Sequence, residues 1–255
     1  MARIITITSG KGGVGKTTTA INLAAAFYHK GKDVLLLDAN LTTPNVALNL
    51  GAASVPVSLN TVLAGKASLH EAIYSHKGIK IIPSSLSLHH LRGIKPEHLS
   101  NITEKLEKVC NIAILDSAAG LGREALAAIA AANEIIVVTQ PEFSAITDAL
   151  KTIKLAEKMK KKILGVVLTR VQRKKYELQQ QDIEALLDSR IIGVIPEDRA
   201  VKQAAKLRQA VLHAYPRSAA SLAYNELAAY LLGERKRKPR QKFLAALRNF
   251  LSKKI

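Results

Sequence analysis

Ten consecutive residues near the start of the chain carry its most explicit chemistry. Ser9-Gly10-Lys11-Gly12-Gly13-Val14-Gly15-Lys16-Thr17-Thr18 follows the apolar run Ile4-Ile5-Thr6-Ile7-Thr8. Gly10 and Gly15 bracket four residues ahead of Lys16-Thr17, the G-x-x-x-x-G-K-[ST] spacing of a phosphate-binding loop. Backbone curled around a phosphate must aim its N–H groups inward, and a Cβ would block that approach, hence Gly10, Gly12, Gly13 and Gly15. Lys16 is placed to reach the β- and γ-phosphates and the Thr17 hydroxyl to hold Mg²⁺. The N-terminus of the helix expected from Lys16 adds the positive end of a dipole. Each of these features suits a triphosphate.

Such a loop works only between a strand and a helix, and the rest of the chain supplies many of both. Short apolar, β-branched runs alternate with longer helical patterns, which predicts a three-layer α/β fold: a mainly parallel sheet with helices on both faces. Strands are expected over Arg3 to Thr8, Asp33 to Leu37, Gly78 to Ile82, Asn111 to Asp116, Glu134 to Thr139, Ile163 to Thr169 and Ile191 to Ile195. Helices are expected over Lys16 to His29, Ser58 to Ala64, Ser68 to Ser75, Pro96 to Val109, Gly122 to Ala132, Phe143 to Lys160, Gln180 to Leu187, Asp198 to Gln209 and Ser218 to Leu232. Ser68 and Glu71 have the spacing of a capping box. Ligands of an open parallel sheet sit at the carboxyl ends of its strands. Asp38 and Asp116 both end strands there, so a metal-facing role is favoured over the turn or cap duty of an isolated strand-end aspartate. Asp116, after four apolar residues, reads as the carboxylate that acts on Mg²⁺ through water.

The loop carries a lysine that the general motif does not demand. With Lys11, the heptapeptide Lys11-Gly12-Gly13-Val14-Gly15-Lys16-Thr17 resembles the deviant phosphate loop of the MinD/ParA ATPases, and the likeness spans about residues 2 to 233. Ile114-Leu115-Asp116-Ser117-Ala118-Ala119-Gly120 is similar to that family's switch II, with alanine where a proline is usual. Gln140-Pro141-Glu142-Phe143-Ser144-Ala145-Ile146-Thr147-Asp148-Ala149 is similar to a MinD stretch that also ends in Asp-Ala. The resemblance implies ATP and Mg²⁺ as ligands and a homodimer closed around nucleotide, with Lys11 touching the partner's phosphates and the Gly120 N–H offered to the γ-phosphate. It also implies that Thr169, Arg170, Pro196, Glu197 and Asp198 frame the adenine, against a plainer reading of both segments as strand-end loops with Asp198 as a helix cap. ATP is preferred to GTP on this resemblance alone; no N-K-x-D motif appears at Thr169.

Switch I departs from the family. Its relatives carry two aspartates with one residue between them, the second acting on the attacking water; this chain has Asp38-Ala39-Asn40. An asparagine can hold a water but cannot accept its proton. Because phosphoryl transfer depends mostly on positioning and electrostatics, the expectation is slow hydrolysis with nucleotide binding retained. Lys11, Lys16, Asp38 and Asn40 form the candidate catalytic set, and Thr17 and Asp116 the metal set.

The 255 residues carry a net charge of +18 and a single cysteine, Cys110. One thiol excludes a disulfide framework and a cysteine-ligated cluster, and with no signal-like N-terminus or spanning run the sequence implies a cytoplasmic protein. The charge favours an anionic partner. Residues 234–255 hold nine basic residues against one acid, contributing +8 of the total. A basic linker, 234–240, precedes 241–255, where Phe243, Leu244, Leu247, Phe250 and Leu251 recur at helical spacing with Lys242, Arg248 and Lys253 opposite. That pattern describes an interfacial membrane helix; a final helix docked on its own domain and a nucleic-acid arm are the competing readings. MinD proteins end in such a membrane-targeting helix, so the expected location is peripheral, on the inner face of the cell membrane. A second basic run, Lys158, Lys160, Lys161, Lys162, Arg170, Arg173, Lys174 and Lys175, reads first as a solvated face and second as a DNA patch. The expected activity is a dimerising, membrane-attached ATPase that positions the division site or another structure through an unidentified regulatory or cargo protein. The alternatives are a ParA-like DNA-partitioning ATPase and a nucleotide-gated scaffold with little turnover.

Overall fold

The computed structural model describes residues 2–52, 55–87, 89, 94–172, 174 and 176–234; the linker and helix expected over 235–255 lie outside them. Among the described residues, eight strands form one sheet. They are β1 (Arg3–Thr8), β2 (Val34–Ala39), β3 (Tyr74–His76), β4 (Ile79–Ile82), β5 (Ile112–Ser117), β6 (Glu134–Thr139), β7 (Lys162–Val171) and β8 (Ile191–Pro196), in the order β3-β4-β2-β5-β1-β6-β7-β8. All neighbours are parallel except the β3–β4 hairpin at one edge.

Alternation along each strand sends successive side chains to opposite faces, and both faces are covered. Leu35, Leu37, Ala113, Leu115, Ile135 and Val137 pack into one core. That layer includes α3 (Leu59–Leu63), α4 (Leu99–Leu106), α5 (Arg123–Ala131), α6 (Phe143–Lys158) and α7 (Gln180–Leu187). Leu36, Ile114, Ile136 and Val138 face the other core, formed with α1 (Lys16–His29), α8 (Arg199–Lys206), α9 (Val211–Ala214) and α10 (Ala219–Leu231). A short α2 (Val46–Leu50) follows β2. Strands covered on both sides have no need of polar alternation, which is why they read as continuous apolar runs.

One expected helix is corrected. Over Ser68 to Ser75 only His70–Ala72 turns, as a short 3₁₀ helix, and Tyr74 and Ser75 belong to β3. The Ser68–Glu71 contact exists, with the Ser68 N–H donating to Glu71 Oε2 at 2.7 Å. Ile73 is nevertheless extended (φ −89°, ψ 115°), so the chain leaves the turn to pair with β4. The second basic run is also divided: Lys158 to Lys162 precede or begin β7, whereas Arg170 and Lys174 lie at its far end. Ten residues of strand, at about 3.3 Å each, put the two groups roughly 30 Å apart.

Candidate functional site

β1 delivers the chain to the phosphate loop and α1 carries it away. Gly13 (φ 77°) and Gly15 (φ 91°) take left-handed conformations that a Cβ would strain, and Gly15 caps α1. Gly10 is required for another reason: a Cβ there would lie 2.1 Å from the carbonyl oxygen of Asp148, in the backbone of α6. The loop is therefore wedged against α6, which explains why the 140–149 stretch accompanies it. Further ties fix its path. Ser9 Oγ donates to the Lys11 carbonyl at 2.8 Å, Thr169 Oγ1 to the Val14 carbonyl at 2.6 Å, and Gln140 Nε2 to the Gly13 carbonyl at 3.5 Å.

Lys16 is only 9% exposed. Beside it, β2 and β5 place Asp38 and Asp116 in register, both fully buried. Thr17 Oγ1 donates to Asp116 Oδ2 at 2.6 Å, and Asp116 Oδ1 is buried without a partner. Asp38 instead receives three backbone N–H groups, from Asn40 at 3.2 Å and from Asn45 and Val46 at 3.0 Å. Burial pushes both carboxyls well above the ordinary aspartate range; for Asp38 the neighbouring Asp116 charge adds to the rise, and for Asp116 the Thr17 bond and the Lys16 charge oppose it. Burial also lowers the Lys16 ammonium, against the pull of Asp116 and Asp38. Two buried carboxylates, one with an orphaned oxygen beside a threonine hydroxyl, form a hard-oxygen donor set suited to Mg²⁺. Thr17 and Asp116 would hold the ion, which would supply charge neutralisation at the phosphates.

Asn40 lies within the loop after β2. Its Nδ2 donates to the Thr43 carbonyl at 2.5 Å, and its Oδ1 accepts from the Thr43 N–H at 3.3 Å and hydroxyl at 3.1 Å. The N–H of Gly120 (φ 79°) donates to the Ser9 carbonyl at 2.9 Å, joining the loop after β5 to the phosphate loop. Lys11 is exposed, with Nζ 3.4 Å from Ser144 Oγ.

Thr169, Arg170, Pro196, Glu197 and Asp198 come together around a small pocket next to Gly15 and Thr18. Asp198 also caps α8, accepting from Ala200 N–H at 2.9 Å, and holds α10 through Ala220 N–H at 3.0 Å. The Thr169 side chain meets the phosphate loop, not open solvent. Sequence reasoning missed Tyr224, which lines the same pocket from α10 and has its hydroxyl 3.3 Å from that of Thr19. It also missed Glu124, whose acidic place in the first turn of α5 was its only local signal.

A glycine loop between a strand and a helix, with a buried lysine and a threonine hydroxyl bonded to a strand-end aspartate, defines a P-loop nucleoside triphosphatase. The comparisons narrow this. The description of the CobQ/CobB/MinD/ParA nucleotide binding domain fits residues 5–211. The chain is 43% identical over 234 residues to an uncharacterized ATP-binding protein of Methanocaldococcus jannaschii, covering 91% of this chain and 89% of that one. Its fold is similar to that of the septum site-determining protein MinD of Pyrococcus horikoshii, solved with Mg-ADP (TM-score 0.87, 33% identity, 91% and 96% of the two chains). It is also similar to a chain of the MinC:MinD cell division protein complex of Aquifex aeolicus (TM-score 0.82, 29% identity, 94% and 99%). The chain belongs to the MinD/ParA family: it is an ATPase that uses ATP and Mg²⁺.

Two outcomes follow from this geometry. Gly10→Ala should lower nucleotide-free stability by about 2 kcal/mol through backbone overpacking. Gly12→Ala, whose Cβ meets nothing within 4 Å, should stay within about 0.5 kcal/mol; equal denaturation midpoints for the two would contradict the wedge. The pH dependence is set by the raised carboxyls. Their contribution is fully present below the unfolded aspartate pKa, near 3.9, and is lost as pH rises through the folded values, about 6 for Asp116 and about 8 for Asp38. Nucleotide-free protein should thus weaken between about pH 4 and 8, by up to about 1.4 kcal/mol per pH unit for each proton. Asp116→Asn should reduce that slope in denaturation series while removing Mg²⁺-dependent stabilisation by nucleotide.

Proposed function

We propose that this ATPase dimerises around Mg-ATP, attaches reversibly to an anionic membrane through residues 241–255, and positions the division site or another cellular structure through a regulatory or cargo protein. The observation that carries the reading is the rim of the phosphate loop. Lys11, Gly12 and Gly13 are exposed there, next to Phe143 at 70% and Leu121 at 42%. Ser144 and Gly120, the neighbours of those apolar side chains, contact Lys11 and Ser9. A positive, partly apolar rim around a polyphosphate site suits a second copy, whose Lys11 would add charge in trans.

Within each subunit, Lys16 and the loop N–H groups bind and orient the phosphates. Asp38 fixes the path of the following loop, and Asn40 holds the attacking water without accepting its proton. Turnover is accordingly slow. The domain, residues 1–233, ends where Glu234 pairs with Lys30 at 2.5 Å and Arg3 Nη1 donates to the Leu231 carbonyl at 2.7 Å. Both contacts lie where β1 begins, so linker 234–240 starts at the opposite end of the sheet from the phosphate loop. No helix among the described residues is long and apolar enough to cross a membrane. A ParA-like DNA role is the weaker reading, because the basic run divides between the two ends of β7 and Lys162 is paired with Glu134 at 2.7 Å.

Co-sedimentation with anionic vesicles tests the reading. The full chain should bind with ATP at least tenfold more than with ADP, as effective-concentration gains allow; Lys16→Ala and a chain ending at residue 240 should not bind. Equal binding by the truncated chain would remove the membrane role, and DNA-stimulated turnover would favour the rival. For the water-side residue, Asn40→Asp should raise single-turnover ATP hydrolysis. It should also cost about 1–3 kcal/mol of nucleotide-free stability, since a carboxylate cannot donate to the Thr43 carbonyl. No gain in rate would show that Asn40 is not limiting.

A further inference from the structure

The loop after β2 is held by three clips, and the third comes from another part of the fold. Asp38 gathers the N–H groups at the loop's end, and Asn40 closes a turn on Thr43. Glu124, in the first turn of α5, reaches over from 83 residues away in sequence. Its Oε2 accepts the N–H groups of Leu41 at 2.9 Å and Thr42 at 3.2 Å, and its Oε1 accepts the Thr42 hydroxyl.

An acid in the first turn of a helix is ordinarily explained by the helix dipole. That account leaves the carboxylate free to face water; here it is saturated by three donors of one loop. The placement of α5 gives the contact its meaning. The helix starts at Arg123, three residues after Gly120, whose N–H is bonded to Ser9 in the phosphate loop. A movement of Gly120 on nucleotide binding therefore acts on the segment that carries Glu124, and through it on the loop that carries Asn40.

We propose that Glu124 is a positioning residue for ATP hydrolysis, a clasp that makes the loops after β2 and β5 move together. It touches neither phosphate nor water in this role; it aligns Asn40 through Leu41 and Thr42. Charge-assisted bonds to two backbone N–H groups give it the strength to carry a loop. The inference rests on the water-side reading of Asn40, and the experiment separates the two.

Glu124→Ala should lower kcat about tenfold, the scale of a modest misplacement of a catalytic group, with KM for ATP within about twofold because the phosphate loop is intact. Glu124→Gln, which keeps a carbonyl oxygen for the N–H donors, should recover most of that loss. Thr42→Val should add nothing in the Glu124→Ala background, since the two partners share one interaction. Loop movement is read separately, from an environment-sensitive dye on Leu48→Cys. Leu48 is 43% exposed in α2, immediately behind the loop, while Cys110 is buried. The dye should respond to Mg-ATP in the parent protein and lose that response with Glu124→Ala. A lost dye response with unchanged kcat would uphold the clasp and sink the role of Asn40. An intact dye response, or equal losses in kcat and ATP affinity tracking a lower melting point, would overturn the clasp.

Discussion

Two carboxylates that repel each other, buried side by side at the end of a parallel sheet, are the constraint around which this structure is built. Asp38 and Asp116 face each other in register, and burial alone makes charge on either unfavourable. The protein meets the problem differently at the two sites. Asp38 is saturated by backbone N–H groups, which turns its carboxyl into a device for shaping a loop. Asp116 keeps an oxygen without a partner, a deficit that a hard cation would relieve. Lys16, buried and with its ammonium lowered, is under the complementary deficit and gains from phosphate oxygens. The empty-state cost of the site is thus the source of its preference for a metal–polyphosphate pair.

The parts legible in the sequence are those whose physics is local. A phosphate loop is ten residues of spacing, and strands buried on both faces announce themselves as apolar runs. β3 escaped because it is a three-residue, polar, antiparallel edge, and because the Ser68–Glu71 contact is as real in a single turn as in a helix. The short α2 and α9 escaped because four or five residues do not express a period. Asp38 and Asp116 were legible as strand ends, although the division of labour between them was not, since it depends on N–H groups seven and eight residues further on. Glu124 was illegible for a stronger reason: its significance lies in a loop distant in sequence, and no pattern within α5 encodes that.

Asn40 shows how one substitution reads differently at the two levels. As sequence, asparagine where relatives have aspartate is a loss, because a proton acceptor is gone. As structure it is also a gain, because the amide supplies a donor that a carboxylate lacks. The Asn40–Thr43 turn uses both halves of that amide. The same amide that cannot accept a proton closes the turn on Thr43, so the proposed slow chemistry and a well-defined resting loop would come from one residue.

The path between nucleotide and tail limits how the proposed switch can work. α1 runs from Lys16 at the phosphate loop to His29, next to the Lys30–Glu234 pair at the root of the tail. Ten of its fourteen residues are buried, and α10 packs along it with Tyr224 fully enclosed. Such a helix is locked by close packing and transmits position without changing shape. Nucleotide-dependent membrane binding then has no need of a signal sent through the domain. In the proposed switch it would be enough for closure around ATP to bring two tail roots onto one body, because a second weak anchor on a tethered chain multiplies affinity by effective concentration alone. A rigid core is what the proposed arrangement requires: the loops at one end would sense the nucleotide, and the count of subunits would carry the consequence to the other.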